Sequence, residues 1–410
     1  MHISIEVYAP IVYKFHIPHH YNNWRTNMRY CLRFSFYITL FSMIIFCTTG
    51  CSTGTKVPAA NSGDAFSDGY SSVYPDAFFH LQEDGLVRRL DYDSMQDMLL
   101  CNKPNCTHAE KDCAENCLNG KVPIFADNCA YYFVNAEQQF IQGKDGKTEL
   151  QISTELCCFD FAKGEEKSLL QLSDCSVSAN YGLLLHDHKL YFVSNALSRF
   201  YDENGMLVGV GGTGGEMHLF AVDLNDLSVS DLGSLYDVDA LAEYYPLAVS
   251  SGEVYMKGLF DNKIYFNVGF VVELNGEETY QFYVTYYDLS DGSYHGTPDD
   301  YTQIDFASVR YVSDDYLVIC QEGAASVYQK GSSEPIVLEH PYFGRDVFMF
   351  VSDDTVFCYD MAFDLNTRSA RKLDHMNENL VITRYGDFFI YSDQSYMNNF
   401  EKIPAEQLLK

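Results

Sequence analysis

The sequence predicts an all-β chain folded as a single β-propeller of seven four-stranded antiparallel blades, with six and eight as the neighbouring counts. Three observations predict it. An Asp/Asn/Gly turn leading into an aromatic-aliphatic run returns seven times along the chain. Strand-favouring residues are abundant, with 32 Tyr and 29 Phe. Capped helical periods are nearly missing; only "DALAEYY" from Asp239 and the final "PAEQLLK" read as short helices.

The seven copies are "PDAFFHLQ" from Pro75, "ADNCAYYFV" from Ala126, "HDHKLYFV" from His186, "FDNKIYFN" from Phe260, "SDDYLVIC" from Ser313, "SDDTVFCY" from Ser352 and "YGDFFIYS" from Tyr385. A second phrase follows at variable distance: a strand, a turn bearing Asp, Asn or Gly, then a strand ending near leucine, as in "LFAVDLNDLSVSDLGSL". Each phrase reads as a β-hairpin reversed at its polar turn. Copies recur roughly every 30 to 75 residues, a spacing that suits radially stacked sheets, each covered by its neighbours. Pairing of the "AFFHLQEDGLVRRLDY" and "FFIYSDQSYMNNFEKI" segments would close the ring. The single tryptophan is Trp24, so the signature tryptophans of WD40 and kelch repeats are missing from the repeat region.

The elements follow in chain order. Residues 1–27 show no sustained period and read as an upstream extension outside the fold. Residues 28–50 read as an export signal: Arg29 and Arg33 form a basic start, Phe34 to Cys47 an apolar core, and "TTG" supplies small residues before Cys51. Residues 51–72 are small, polar and Gly/Ser-rich and read as a flexible tether. Residues 73–410 carry the propeller, with a cysteine-rich loop at 101–117. Two long insertions, "SNALSRFYDENGMLVGVGGTGGEM" from Ser194 and "VVELNGEETYQFY" from Val271, would reshape one loop face.

The signal resembles that of bacterial lipoproteins, in which small residues precede an obligatory cysteine. Thr49, Gly50 and Cys51 match, and Thr48 stands where that family has leucine. The resemblance implies lipidation of Cys51 and anchoring on the extracytoplasmic face of the cell membrane. Each buried methylene contributes roughly 0.8 kcal/mol, so two or three acyl chains hold a protein stably. An ordinary secretory signal cleaved nearby is the alternative.

"GLVRRLDYDSMQDMLLCNKPNCTHAEKDC" is similar to an element of lipid-anchored propeller proteins of Gram-positive bacteria, whose repeats are of the TolB-like and low-density-lipoprotein-receptor-like kind. Leu100, Cys101, Lys103, Pro104, Cys106, His108, Asp112 and Cys113 match it. That family is largely of unknown function, so the resemblance implies an architecture and an address but no chemistry.

Cys101, Cys106, His108 and Cys113 form C-x4-C-x-H-x4-C, and Cys117 follows after three more residues. Three readings stay open: disulfides, which export permits; a structural zinc, since three thiolates and an imidazole fill a tetrahedron; and free thiols. No reading requires a cofactor for function. Of the 13 cysteines, ten remain after Cys31, Cys47 and Cys51. Cys157, Cys158, Cys320 and Cys358 sit inside strand phrases and read as core residues.

The formal net charge is −30. Leaving out residues 1–50 removes four Lys/Arg and one Asp/Glu, so 23 basic residues face 56 acidic ones in the rest. That balance argues against nucleic-acid partners, which need cationic surface. The acids are dispersed through turns such as "SDD" and "DLND", as on a solvated surface. "GVGGTG" from Gly209 fits a dinucleotide-binding spacing but precedes a strand, not a helix. His186 and His188 fall at a turn. H-E-x-x-H, G-x-S-x-G and P-loop motifs do not occur, and the sequence supports no catalytic assignment. It points to a membrane-anchored binding or scaffold protein presenting a loop face to a protein, peptide or glycan. A glycoside hydrolase or lyase using channel carboxylates, and a structural subunit of a cell-envelope complex, are the alternatives.

Overall fold

The computed structural model describes residues 65–82, 84–101, 106–107, 113–114, 118, 122–126, 128–135, 139–142, 148–151, 153–173, 175–177, 182–196, 198–201, 207–211, 217–236, 241, 243, 253–274, 277–297, 304–344, 348–373, 379–393 and 399–409. The fold is all-β. Strands β1 (Ala65–Ser67), β2 (Ser71–Val73), β3 (Ala77–Leu81), β4 (Val87–Asp91) and β5 (Asp97–Leu99) open it. β6 (Ile124–Ala126), β7 (Cys129–Asn135), β10 (Ser153–Asp160) and β11 (Glu165–Ser173) make the second sheet, interrupted by the hairpin β8 (Gln139–Gln142) and β9 (Thr148–Gln151). After β12 (Cys175–Val177), the third is β13 (Leu183–His186), β14 (Lys189–Ala196), β17 (Met217–Asp223) and β18 (Val229–Ser234), with the hairpin β15 (Ser198–Tyr201) and β16 (Leu207–Gly211) between them.

Three further four-stranded sheets follow. They are β19 (Glu253–Phe260), β20 (Lys263–Leu274), β21 (Glu277–Asp288) and β22 (Ser293–His295); β23 (Ser308–Val312), β24 (Tyr316–Gln321), β25 (Ala324–Gln329) and β26 (Ile336–Glu339); and β27 (Met349–Ser352), β28 (Thr355–Cys358), β29 (Met361–Asp364) and β30 (Ala370–Lys372). The chain ends with β31 (Asn379–Tyr385), β32 (Phe388–Asp393), β33 (Phe400–Pro404) and the short helix α1 (Ala405–Leu409). All strand pairs are antiparallel, and each of the seven recurring phrases spans the start of one unit.

The turns explain why the phrase recurs. Three first hairpins have two-residue loops in which both residues take positive φ: Asp187 and His188 (47° and 59°), Asp261 and Asn262 (49° and 63°), Asp353 and Asp354 (49° and 56°). That turn matches strand twist, and Asp and Asn tolerate it best after glycine. The last hairpin uses Gly386 (φ 57°) instead. The second hairpins share another device. The carboxylates of Asp91, Asp160, Asp223, Asp288 and Asp364 each accept a backbone N–H two or three residues on, at 2.7–3.0 Å. The residue four positions after each lies at positive φ: Met95, Gly164, Leu227, Gly292 and Arg368.

Each sheet is apolar on both faces. In β3, Phe78 and Phe79 point to opposite sides and are both buried. Phe79 joins the cluster shared by the first three units, with its ring 4.0 Å from that of Phe125. In β13, Leu183 and Leu185 face the second unit while Leu184 faces the fourth. Phe260, Tyr265, Val309 and Leu317 join the fourth to the fifth. Val318 and Val327 meet Met349 and Val356 between the fifth and sixth, and Phe357 meets Phe389 between the sixth and seventh. The cycle then closes: Phe78, Leu90 and Tyr92 of the first unit pack on Leu380, Ile382 and Ile390 of the last. The first strands of consecutive units lie against one another, β13 on β19, β19 on β23, β23 on β27 and β27 on β31. The result is a β-propeller-like arrangement in which every sheet is covered on two sides.

Two expectations are corrected. The tether was expected to reach residue 72, but the strands begin at Ala65. Ser67 and Ser72 are buried there, donating hydrogen bonds to the Val122 and Phe66 carbonyls at 2.9 and 2.8 Å. Small polar residues at 65–73 serve a tight buried hairpin that pairs β1 with β13 and β2 with β3, and so links the first and third sheets. Closure also differs. Among the described residues β33 pairs only with β32, and the seam is made by face packing. Tyr385 adds a hydrogen bond to the Asp93 carboxylate at 2.7 Å. Pro404 leads into α1, whose Ala405 and Leu408 bury against the sixth unit instead of forming a fourth strand.

Leu90 is fully buried at this seam. Leu90→Ala should lower stability by about 2–5 kcal/mol in urea unfolding, as for other core leucines. A loss below about 1 kcal/mol would mean that the seam does not hold in solution.

Candidate functional site

The cysteine-rich loop leaves β5 and returns to the core before β6. Leu100, Ala114, Leu118 and Val122 are all buried in the cluster that joins the first and second units. Cys113 is buried, and Cys101 and Cys106 are half-buried. The Sγ atoms of the three lie within 4.8 Å of one another. Three of the five residues expected in this site are thus brought together. His108 and Cys117 lie outside the described residues, as does Cys51.

Cys157, Cys158, Cys320 and Cys358 are buried, as expected of core residues, while Cys129 and Cys175 are half-buried. Burial pushes the Cys320 and Cys358 thiols up to about 12. It does the same to Cys158, which neighbours Cys129. These thiols stay protonated at neutral pH and are poor nucleophiles.

A groove of about 590 Å³ opens between the fourth and fifth units. Tyr265, Tyr286 and Tyr328 line it with Val284, Leu317 and Ile319, and Asp261, Lys263 and Ser332 supply polar groups. The Tyr265 and Tyr286 rings lie 5.3 Å apart, and the Lys263 ammonium sits 5.3 Å from the Tyr286 ring centre. Burial raises the Tyr265 phenol well above its ordinary value, so it remains neutral. Aromatic walls with a few convergent polar groups characterise ligand sites. The groove was not foreseen, because its residues come from strands of two units and share no motif.

A second polar cluster lies on first strands. β19 and β23 each carry a register shift, at Met256/Gly258 and at Val309/Tyr311, which leaves Lys257 and Arg310 as extra residues. Bulges of this kind re-aim a side chain. Gly258 makes the first one sterically feasible: its φ is +136°, and a Cβ there would meet Val312 at 3.1 Å. Burial holds the Lys257 ammonium below the usual lysine range; Asp68 opposes that effect and Arg310 adds to it. The Asp68 carboxylate is already engaged by the Tyr70 and Ser71 N–H groups at 2.8 and 2.6 Å and by the Ser71 hydroxyl at 3.1 Å. The bulges thus bring two cations near one another, and the carboxylate that attracts Lys257 is already engaged by its own turn.

Asp288, Asp291 and His295 also gather within ligand reach. Their contacts explain them as turn structure: Asp288 and Asp291 accept the Ser290 and Ser293 N–H groups, and His295 Nε2 contacts Asp291 and the Ser293 hydroxyl. His186 and His188 flank the β13–β14 turn, with His188 exposed at φ 59°. Gly209 and Gly211 lie within β16, paired to β15, so the glycine-rich stretch begins inside a strand as well as preceding one. The second insertion lengthens β20 and β21 to 12 residues each.

No protein-family model matches the chain, and no curated protein does. Among solved structures, an oligogalacturonate lyase in complex with manganese is 12% identical, with a TM-score of 0.30, covering 80% of this chain and 72% of that one. The oligogalacturonate lyase of Vibrio parahaemolyticus is 9% identical, with a TM-score of 0.36, over 82% and 86%. Oligopeptidase B of Leishmania major is 12% identical, with a TM-score of 0.34; the chain spans 48% of its length and 83% of its own. At these scores the likeness transfers neither substrate nor chemistry.

Lys257→Met should raise stability at neutral pH by up to about 1 kcal/mol, because a half-buried, poorly solvated ammonium is replaced by an apolar side chain of similar length. The folded state binds the Lys257 proton more weakly than the unfolded state, so stability of the parent rises with pH toward 10.5. The advantage of the variant should shrink over that range in thermal melts. A variant less stable than the parent at neutral pH would show that the Asp68 attraction outweighs burial.

Proposed function

We propose that this chain is a lipid-anchored, extracytoplasmic binding protein, built as a seven-bladed propeller with the groove between its fourth and fifth units as the ligand site. The observation that carries the reading is the tyrosine-walled groove itself. Tyr265, Tyr286 and Tyr328 give the groove aromatic walls that would suit a sugar ring or an apolar peptide side chain, while Asp261, Lys263 and Ser332 would supply hydrogen bonds. The seven phrases and the closed cycle of apolar contacts support seven blades. The export signal and the Thr-Gly-Cys sequence before the tether support lipidation of Cys51, whose acyl chains would place the domain on the outer face of the membrane. The glycoside-hydrolase alternative would need two carboxyls about 5–10 Å apart in a cleft. The acids at the second-hairpin turns are instead bound to their own backbone.

Two measurements test this. Cys51→Ala should abolish incorporation of labelled palmitate and move the protein out of the membrane fraction; an unlabelled parent chain would refute the anchor. On glycan and peptide arrays the full chain should retain ligands, and Tyr286→Ala should weaken binding about three- to tenfold with an unchanged melting temperature. Equal binding by parent and variant would remove the groove from the proposal.

A further inference from the structure

We infer that Cys101, Cys106 and Cys113 bind one zinc ion, which clips the exit of the first unit to the start of the second. The geometry carries it. Three sulfurs lie mutually within 4.8 Å. A zinc–sulfur bond of about 2.3 Å in a tetrahedron sets ligand sulfurs about 3.8 Å apart. A triangle with edges of at most 4.8 Å accommodates one face of a thiolate-bound metal. A disulfide joins two sulfurs at about 2.05 Å and has no use for a third.

The framework is built to hold that face. Leu100 precedes Cys101, Ala114 follows Cys113, and Leu118 and Val122 continue the same buried cluster. The backbone on both sides of the cysteines is pinned by core packing before any metal arrives, so little further order is needed to gather the ligands. Cys113 is 0% exposed and sits at the base, while the half-buried Cys101 and Cys106 leave a route for the ion. Thiolates select a borderline-soft ion such as zinc over the calcium or magnesium that the carboxylates of this acidic chain would attract. Each thiol releases its proton to solvent as its bond to the metal forms, and one further donor completes the tetrahedron. No electron moves and no oxidant is consumed. The inference is independent of the ligand groove, and its failure would leave that reading untouched.

The test uses the full chain, purified in detergent without chelator, with and without dithiothreitol. Elemental analysis should find one zinc per chain in both samples. A zinc-selective chelator should then make Cys101, Cys106 and Cys113 open to alkylation, as mapped by peptide mass, and added zinc should protect them again. Cys106→Ser should lose at least tenfold in retained zinc. If that variant does not fold, the chelator and protection measurements on the unmodified chain decide alone. A disulfide mass deficit mapped to any of the three cysteines, or thiols alkylated from the outset with no zinc bound, would overturn the inference.

Discussion

Everything in this molecule depends on sheets that are apolar on both faces. A three- or four-stranded sheet with one solvated face can lie at the edge of a fold. A sheet with Phe78 on one side and Phe79 on the other cannot. Each such unit must be covered twice, and a linear stack would leave two faces bare. The contact between Phe78, Leu90 and Tyr92 and the Leu380, Ile382 and Ile390 group covers the last two, and it does so between residues about 300 positions apart in the chain. Among the described residues, burial of these faces rather than strand pairing between the terminal segments closes the cycle. The hairpin of β1 and β2 makes a second long-range tie, because β1 fills the free edge of β13.

The acidic surplus follows from the same repeated construction. Short strands need many reversals, and this chain makes them with aspartate. In the first hairpins Asp accepts positive φ; in the second its carboxylate caps backbone N–H groups. The hydrogen bonds from Thr367 hold Asp364 below the ordinary carboxylate range. At Asp91 the contacts with Ser94 and Arg89 together outweigh the opposing effect of burial, and at Asp160 the Lys163 ammonium, joined by backbone N–H groups, holds the carboxyl low. Much of the net charge of −30 is thus a by-product of turn chemistry repeated around the cycle. Dispersed acid of this origin carries no information about substrate. The informative charges are the two cations that the first-strand bulges place together.

The repeated parts were legible in the sequence because their physics is local. A two-residue Asp/Asn turn and the apolar run after it lie within eight or nine consecutive residues, so all seven first hairpins were visible. The β1–β2 hairpin was not. Its Ser67 and Ser72 look like linker residues, and only the distant Val122 carbonyl and the β13 edge make them structural. The seam was expected as strand pairing because the terminal segments both read as strands; Pro404 and the helix after it divert the chain. Of the cysteine loop, spacing showed the cluster but not its geometry. Lys257 and Arg310 were invisible, since a bulge interrupts the very period by which a strand is recognised.

The departures from regularity fall where chemistry can be hosted. Identical units packed in a cycle bury their side chains for cohesion and present similar turns to solvent. A distinctive surface then has to come from breaks in the pattern. Among the described residues, such breaks include the cysteine loop between the first two units, the β8–β9 and β15–β16 hairpins, the lengthened β20 and β21, and the bulges at Lys257 and Arg310. Three of these concern the third to fifth units, and the tyrosine groove lies between the fourth and fifth. The cysteine loop stands apart, between the first two units. A stiff clip there would steady the first unit, whose far face must hold the seam. With such a clip, stability would be reinforced at one part of the cycle while a groove at another stayed available for a ligand, a division of labour open to a repeat fold because each unit touches only its neighbours.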